Sequence, residues 1–164
     1  LAKPHRSKPG VTERFELFAT GFRNPNGLGV GPDGTVTAGD QEGTWVPVTR
    51  LDFVRQGAFC GYMPSHHRAT APKTYDPPLC WIPKSVDNSA GGQAWAAPEG
   101  WGPLSGRLFH LSYGKCRALL VLSEEVDGQT QGGVVSMPWK FSGGAMRGRV
   151  NPADRRLYIS GLKV

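Results

Sequence analysis

Gly21-Phe-Arg-Asn-Pro-Asn-Gly-Leu-Gly-Val-Gly-Pro-Asp-Gly34 is the stretch on which the reading of this chain turns. Pro25 fixes its own φ and steers Asn24 toward an extended conformation, so Arg23 and Asn24 are set on a stiff loop. Gly27 to Val30 follows as a short strand with Leu28 and Val30 on one face. Pro32-Asp33-Gly34 then turns the chain back, because Pro suits the first corner of a turn and Gly tolerates positive φ. The unit is loop, strand, turn, strand, with an Arg-Asn pair at its entrance.

Working outward, residues 1–13 are polar and basic with two prolines and read as a linker or frayed end. Arg14 to Thr20 reads as a strand with Phe15, Leu17 and Ala19 on one side and Phe18 on the other. Thr35 to Ala38 completes a hairpin, Thr49 to Val54 is the next strand, and Gly57 to Pro64 is a turn. These make a first unit over 14–64. A polar, proline-rich loop over 65–80 carries His66 and His67, which read as loop residues because no third metal ligand stands at a definable spacing. A second unit, 81–144, holds strands at Gln93 to Ala97, Gly106 to Tyr113, Arg117 to Glu124 and Val134 to Trp139. Asp127-Gly128 reads as a turn, so Glu124 and Glu125 belong to a solvated hairpin end. A third unit opens at 145–164, where Val150 and Pro152 of Gly148-Arg-Val-Asn-Pro-Ala-Asp154 repeat the places of Val30 and Pro32.

The openings at Gly27, Gly92 and Arg147 are 65 and 55 residues apart, and each full interval has room for about four short strands. That spacing predicts an all-β fold, a partial β-propeller of about two blades and part of a third, from a parent of roughly six blades. A self-contained β-sandwich would use the same alternation. Leu1 is not an initiator Met and the last residues read as a strand and its exit, so the expectation is a piece of a longer polypeptide. Composition agrees with a turn-rich β protein: Gly and Pro make 37 of 164 residues, with five Trp among the aromatics. The formal charge of +6 is scattered over the tail (Lys3, Arg6, Lys8), the middle and the C-terminal end (Arg147, Arg149, Arg155, Arg156). With no basic helix to gather it, the charge argues against nucleic acid. No apolar run is long enough to span a membrane. Cys60, Cys80 and Cys116 match no zinc or haem spacing; the simplest reading is buried free thiols, with a disulfide between two of them as the alternative.

With these units in hand the chain resembles the pyrroloquinoline quinone dependent glucose and sorbosone dehydrogenase family of propellers. The resemblance is carried by Phe22-Arg-Asn-Pro-Asn-Gly-Leu28, Gly31-Pro-Asp-Gly34, Asp40, Leu51 and Gly57 through Gly61-Tyr62. Within it the chain looks closest to the propeller of large secreted bacterial multidomain proteins labelled membrane-bound dehydrogenases. There Pro78-Leu-Cys-Trp81, Ser85-Val-Asp-Asn-Ser89, Gly91-Gly-Gln93, Trp101-Gly-Pro-Leu104, His110-Leu-Ser-Tyr-Gly114 and Glu124-Glu-Val-Asp-Gly-Gln129 look characteristic. The resemblance implies Arg23 and Asn24 as contacts to pyrroloquinoline quinone at the channel mouth, and calcium held by the loop of Gly39, Asp40, Gln41 and Glu42 with Asp40 or Glu42 assisting. That loop departs from the Gly-Pro form of the characterised sugar dehydrogenases. It further implies a sugar or alcohol substrate that gives up a hydride to the quinone, a His general base from an earlier blade rather than His5, His66, His67 or His110, a cytochrome c-like electron acceptor, and a periplasmic or secreted parent. This chain alone is then not a complete enzyme.

Plainer roles stand beside these. Arg23 serves equally as a tether for neighbouring loop carbonyls, and Asp40 as a turn cap. Asp87, Asn88 and Ser89 stand on a loop like that of Arg23 and so either line the same channel or order their own turn. Trp45, Trp81, Trp95, Trp101 and Trp139 read first as packing between blades, with Trp45 and Trp101 also suited to stack on a sugar. The competing function is a non-catalytic propeller that binds a glycan or a partner protein.

Overall fold

The computed structural model describes residues 2–4 and 15–163. No α-helix occurs among them. Most of the stretch read as a linker, including His5, Arg6 and Lys8, lies outside the described residues, as does Arg14. Its Ala2–Pro4 forms a short strand, β1, paired antiparallel with β2, Phe15–Leu17.

The first four-stranded sheet runs in the order β3 (Pro25–Val30), β4 (Val36–Asp40), β5 (Thr49–Val54), β6 (Cys80–Ile82). All pairs are antiparallel, with Pro25 opposite Asp40, Val36 opposite Val54 and Thr49 opposite Ile82. The second sheet repeats the pattern with β7 (Ala90–Trp95), β8 (Leu108–Ser112), β9 (Arg117–Val126) and β10 (Gln129–Lys140). A third begins with the hairpin of β11 (Gly144–Val150) and β12 (Leu157–Leu162).

The sheets stand face to face. Leu51 and Ile82 of the first pack with Leu108, Leu119 and Val121 of the second, and Ala145 with Ile159 of the third closes on Leu111 and Ala118. The leading strands β3, β7 and β11 lie side by side. They approach so closely that a Cβ at Gly27 would overlap the Gly91 carbonyl, and one at Gly91 would fall 2.5 Å from the Ala145 carbonyl. Four-stranded meanders packed face to face, with each leading strand beside the next, are propeller blades. The fold is a partial all-β propeller.

Several local readings change with the tertiary contacts. Leu28 and Val30 do share a face, but it is the exposed one; Gly27 and Gly29 are the buried side because they meet Gly91, Gly92 and Gln93 of the next blade. In the first strand the expected sidedness holds only for Ala19, which is buried. Phe15 and Leu17 are exposed, while Phe18 packs against Ala19, Phe22, Ala38 and Val54. Cys80–Ile82 hydrogen-bonds to β5 and so ends the first blade, although Trp81 reads in sequence as the start of the second unit. A single 3₁₀ turn at Met63–Ser65 interrupts the Gly57 to Pro64 segment. At the tip of the long β9–β10 hairpin, Asp127 and Gly128 both take positive φ, 51° and 76°, as a tight two-residue turn requires. The three cysteines are free. Burial pushes the Cys60 and Cys80 thiols up to about 12, which keeps them protonated and unreactive.

Candidate functional site

One end of the leading strands gathers the loops that the sequence singles out. Asp40, the last residue of β4, is fully buried. Its Oδ2 accepts the Arg23 backbone N–H at 2.8 Å and its Oδ1 the Asn24 N–H at 2.7 Å. Burial raises the Asp40 carboxyl above its ordinary value, and the N–H groups of Arg23, Asn24 and Gln41 oppose that without cancelling it. Asp40 therefore acts as the clamp that fixes the Arg23-Asn24 loop on the β4 exit.

Arg23 reaches back across the same loop. Its Nη1 donates to the carbonyls of Glu42 (3.0 Å) and Gln41 (3.4 Å), while Nε and Nη2 bond to none of the described residues. A side chain at Gly43 would overlap the guanidinium, so this position must stay bare for Arg23 to lie there. Asn24, on the exposed side, donates through Nδ2 to Gln41 Oε1 at 3.0 Å, and Gln41 Nε2 donates to Ser89 Oγ at 3.2 Å. Arg23, Asn24, Asp40, Gln41, Glu42 and Ser89 are thus brought into one hydrogen-bonded cluster that joins the first blade to the entry of the second.

Asp87 goes elsewhere. It is buried beneath the loop, where its Oδ2 lies 2.8 Å from His110 Nε2, and His110 Nδ1 lies 3.1 Å from Gln93 Nε2. The ring is held on both sides, with Nε2 turned to the carboxylate and Nδ1 to the Gln93 amide. Burial raises the Asp87 carboxyl, but the hydrogen bond and charge of His110 with help from Ser112 and Thr49 outweigh it, and the net shift is downward. Gly39 makes room for this chain: a Cβ there would stand 2.9 Å from Gln93 Nε2 and 3.1 Å from His110 Cε1. Asn88 is exposed, and its carbonyl accepts the Gly114 N–H.

Two supports were not legible as such. Asn26, within the opening motif, ties three leading strands together: Nδ2 donates to the Ala90 carbonyl at 2.7 Å and contacts Met146 Sδ, and Oδ1 accepts from Arg147 Nη2 at 3.1 Å. Gln93 and His110 stand within stretches that carry the resemblance, but their partnership with Asp87 depends on long-range contacts. The reading of Glu124 and Glu125 as solvated matches their exposure. Among the described residues no group of three or more His, Cys, Asp or Glu could hold a metal ion.

The loop's chemistry decides how well a calcium ion would fit. Calcium takes six to eight oxygens. Here both Asp40 oxygens are spent on backbone N–H groups and the Gln41 and Glu42 carbonyls already accept a guanidinium. Glu42 Oε2 is the one carboxylate oxygen of the loop left buried without a partner. One free oxygen beside a fixed cation does not make a calcium site, and calcium does not fit this arrangement. An anionic planar group fits better, since the free edge of Arg23 and the exposed Asn24 present donors.

Solved structures share the architecture. An oxidoreductase described as a glucose dehydrogenase from Thermus thermophilus superposes with a TM-score of 0.65 at 22% identity, over 89% of this chain and 40% of that one. A further glucose dehydrogenase gives 0.66 at 16% identity, over 94% and 46%. The soluble aldose sugar dehydrogenase of Escherichia coli, in its apo-form, gives 0.58 at 13%, over 88% and 43%. The chain therefore spans less than half the length of these propellers, and the likeness defines the class as a propeller of the fold those dehydrogenases use. No family model matches the chain. Among curated proteins, the lysine–tRNA ligases of Synechococcus sp. (strain CC9605) and Parasynechococcus marenigrum (strain WH8102) are each 65% identical over 26 residues, 16% of this chain and 5% of the ligase. A stretch that short defines no family.

Proposed function

We propose that the Arg23-Asn24 end of the leading strands is the ligand mouth of a sugar or alcohol dehydrogenase-type propeller, and that it binds a planar polyanionic quinone such as pyrroloquinoline quinone. The observation that carries this is the Arg23 guanidinium, held by the Gln41 and Glu42 carbonyls through Nη1, with Nε and Nη2 bonded to none of the described residues. A fixed fork of this kind suits a carboxylate or quinone oxygen. Asn24 adds a neutral contact at the rim, Asp40 keeps both residues in register, and Ser89 links the second blade to the site through Gln41. When bound, such a quinone supplies the hydride acceptor for oxidation of the substrate's C–OH carbon. His110 is committed to Asp87 and Gln93 below the surface, so the proton-taking base has to come from another residue. The quinone, the cytochrome c-like acceptor and the periplasmic or secreted setting rest on the family resemblance.

A second reading, a non-catalytic scaffold for a glycan or partner protein, is favoured by one observation: the loop expected to hold calcium is closed by Arg23. Titrating the intact protein with pyrroloquinoline quinone, in the presence of a calcium chelator, separates the two. Under the dehydrogenase reading the quinone spectrum shifts on binding, aldoses then reduce a dye, and Arg23→Ala weakens binding by about 10-fold or more, the worth of one charged hydrogen bond. Absence of quinone binding, with or without calcium, leaves the scaffold.

A further inference from the structure

The first blade carries a cavity that the mouth does not use. Leu51 and Ile82 face the second blade, and strand alternation turns Arg50 and Trp81 to the opposite side. There a cavity of about 390 Å³ is walled by Trp45, Arg50, Phe59, Lys73, Tyr75 and Trp81, among others. Arg50 is 1% exposed. Its Nε donates to both Asp52 oxygens (2.9 and 3.0 Å) and its Nη2 to the Asp76 carbonyl (2.5 Å), with Asp52 Oδ1 2.8 Å from Nη2. Nη1 is buried and finds no acceptor. Arg50 is thus held inside the wall, and Nη1, closed off even from water, does not reach a ligand in the cavity.

The other walls are aromatic. The rings of Tyr75 and Trp81 lie 5.5 and 5.4 Å from Arg50 Cζ and remain partly open to solvent. Trp45 is 57% exposed. It sits at the second corner of the two-residue turn closed by Gly43 and Val46, with φ of 71°, a place where Gly is the default. Lys73 stands exposed at the rim and pairs with none of the described residues. The nearby acids are spent, Asp52 on Arg50 and Asp76 Oδ2 on the Phe59 N–H. The walls therefore offer stacking faces and, in Lys73, a cationic donor.

We propose that this cavity is a second binding site, for an acidic sugar. The pyranose face stacks on Trp45, and the carboxylate accepts from the Lys73 ammonium at the rim. It is independent of the quinone reading, since none of its residues belongs to the Arg23 cluster.

The test is calorimetric titration of the intact protein with methyl β-D-glucuronide and methyl β-D-glucoside, followed in parallel by tryptophan fluorescence. Expected are saturable binding of the glucuronide about 10-fold tighter than the glucoside, a drop of similar size with Trp45→Ala, and loss of the preference for the acid with Lys73→Ala. Both side chains are exposed, so the variants keep the fold, which circular dichroism checks. Asn24→Ala, at the mouth, leaves binding unchanged. Lack of saturable glucuronide binding, equal affinity for the two glycosides, or indifference to Trp45→Ala overturns the proposal, and so does a loss on Asn24→Ala as large as that on Trp45→Ala.

Discussion

The first and second blades each bury an acid against a basic side chain, and they differ in what surrounds it. In the second, Asp87, His110 and Gln93 form a buried chain under Gly39 and the site loops, with Asp87 Oδ1 and Gln93 Oε1 left unpartnered. In the first, Arg50 and Asp52 form an ion pair just as buried, yet one guanidinium nitrogen is left over and the pair borders a cavity. Buried pairs are weak sources of net stability but costly to break. Both leave a polar atom unpaired, and the difference lies in the surroundings: only the Arg50 pair borders the aromatic cavity.

The largest effect should come from opening the Asp87–His110 pair. Asp87→Ala should cost about 3–5 kcal/mol, read as a lower urea midpoint. Asp52→Ala should cost less, about 1–3 kcal/mol, because Arg50 keeps the Asp76 carbonyl and water can enter beside it. Equal losses would erase the distinction between the blades.

Between the leading strands the next contrast is geometric. Gly27→Ala should destabilise by about 1–3 kcal/mol, since its Cβ would run into the Gly91 carbonyl and Gly92 Cα. Gly92→Ala should be milder, its nearest contact being the Met146 carbonyl at 3.3 Å.

Acid titration sharpens the difference in sign. Burial, which Arg50 only partly offsets, raises Asp52 from 3.8 to about 6. The folded state thus holds that proton more tightly, and the contribution of Asp52 to stability falls as pH rises from 3.8 to about 6. Asp87 lies below 3.8, so its contribution is complete above that value and is lost on further acidification. Asp52→Asn should remove the decline between pH 3.8 and 6 and leave the acid limb, with Asp87→Asn doing the reverse, as followed by denaturant midpoints across pH. The smallest change expected is at the turn: Trp45→Gly should relieve its positive φ and stabilise the protein by about 1 kcal/mol, seen as a small rise in Tm.

How much of this is legible in the chain depends on the range of the interactions. Pro25 and Pro32-Asp33-Gly34 act over a few residues, and the β3–β4 hairpin they bracket is where they place it. Thr49–Val54 is likewise both a local alternation and an observed strand. Leu28 and Val30 show the limit. Their alternation says they share a face, but the buried face is set by glycines that admit the next blade. Trp81 shows another, since its membership of the first blade comes from pairing with Arg50, far away in sequence. At the site, Arg23 and Asn24 stand out by type and setting; that Arg23 would clasp the Gln41 and Glu42 carbonyls depends on the bare Gly43 opposite, which only the fold reveals.

The sequence by itself determined a blade repeat, its turns and the Arg-Asn pair at its entrance, because strand alternation and Pro-Gly turn chemistry are local and cheap to encode. Tertiary structure alone decided which faces are buried, that Asp87 meets His110, and that Arg50 is buried with an unpaired nitrogen beside an aromatic cavity. Those outcomes depend on segments dozens of residues apart competing for the same donors and space, and no local pattern records who wins.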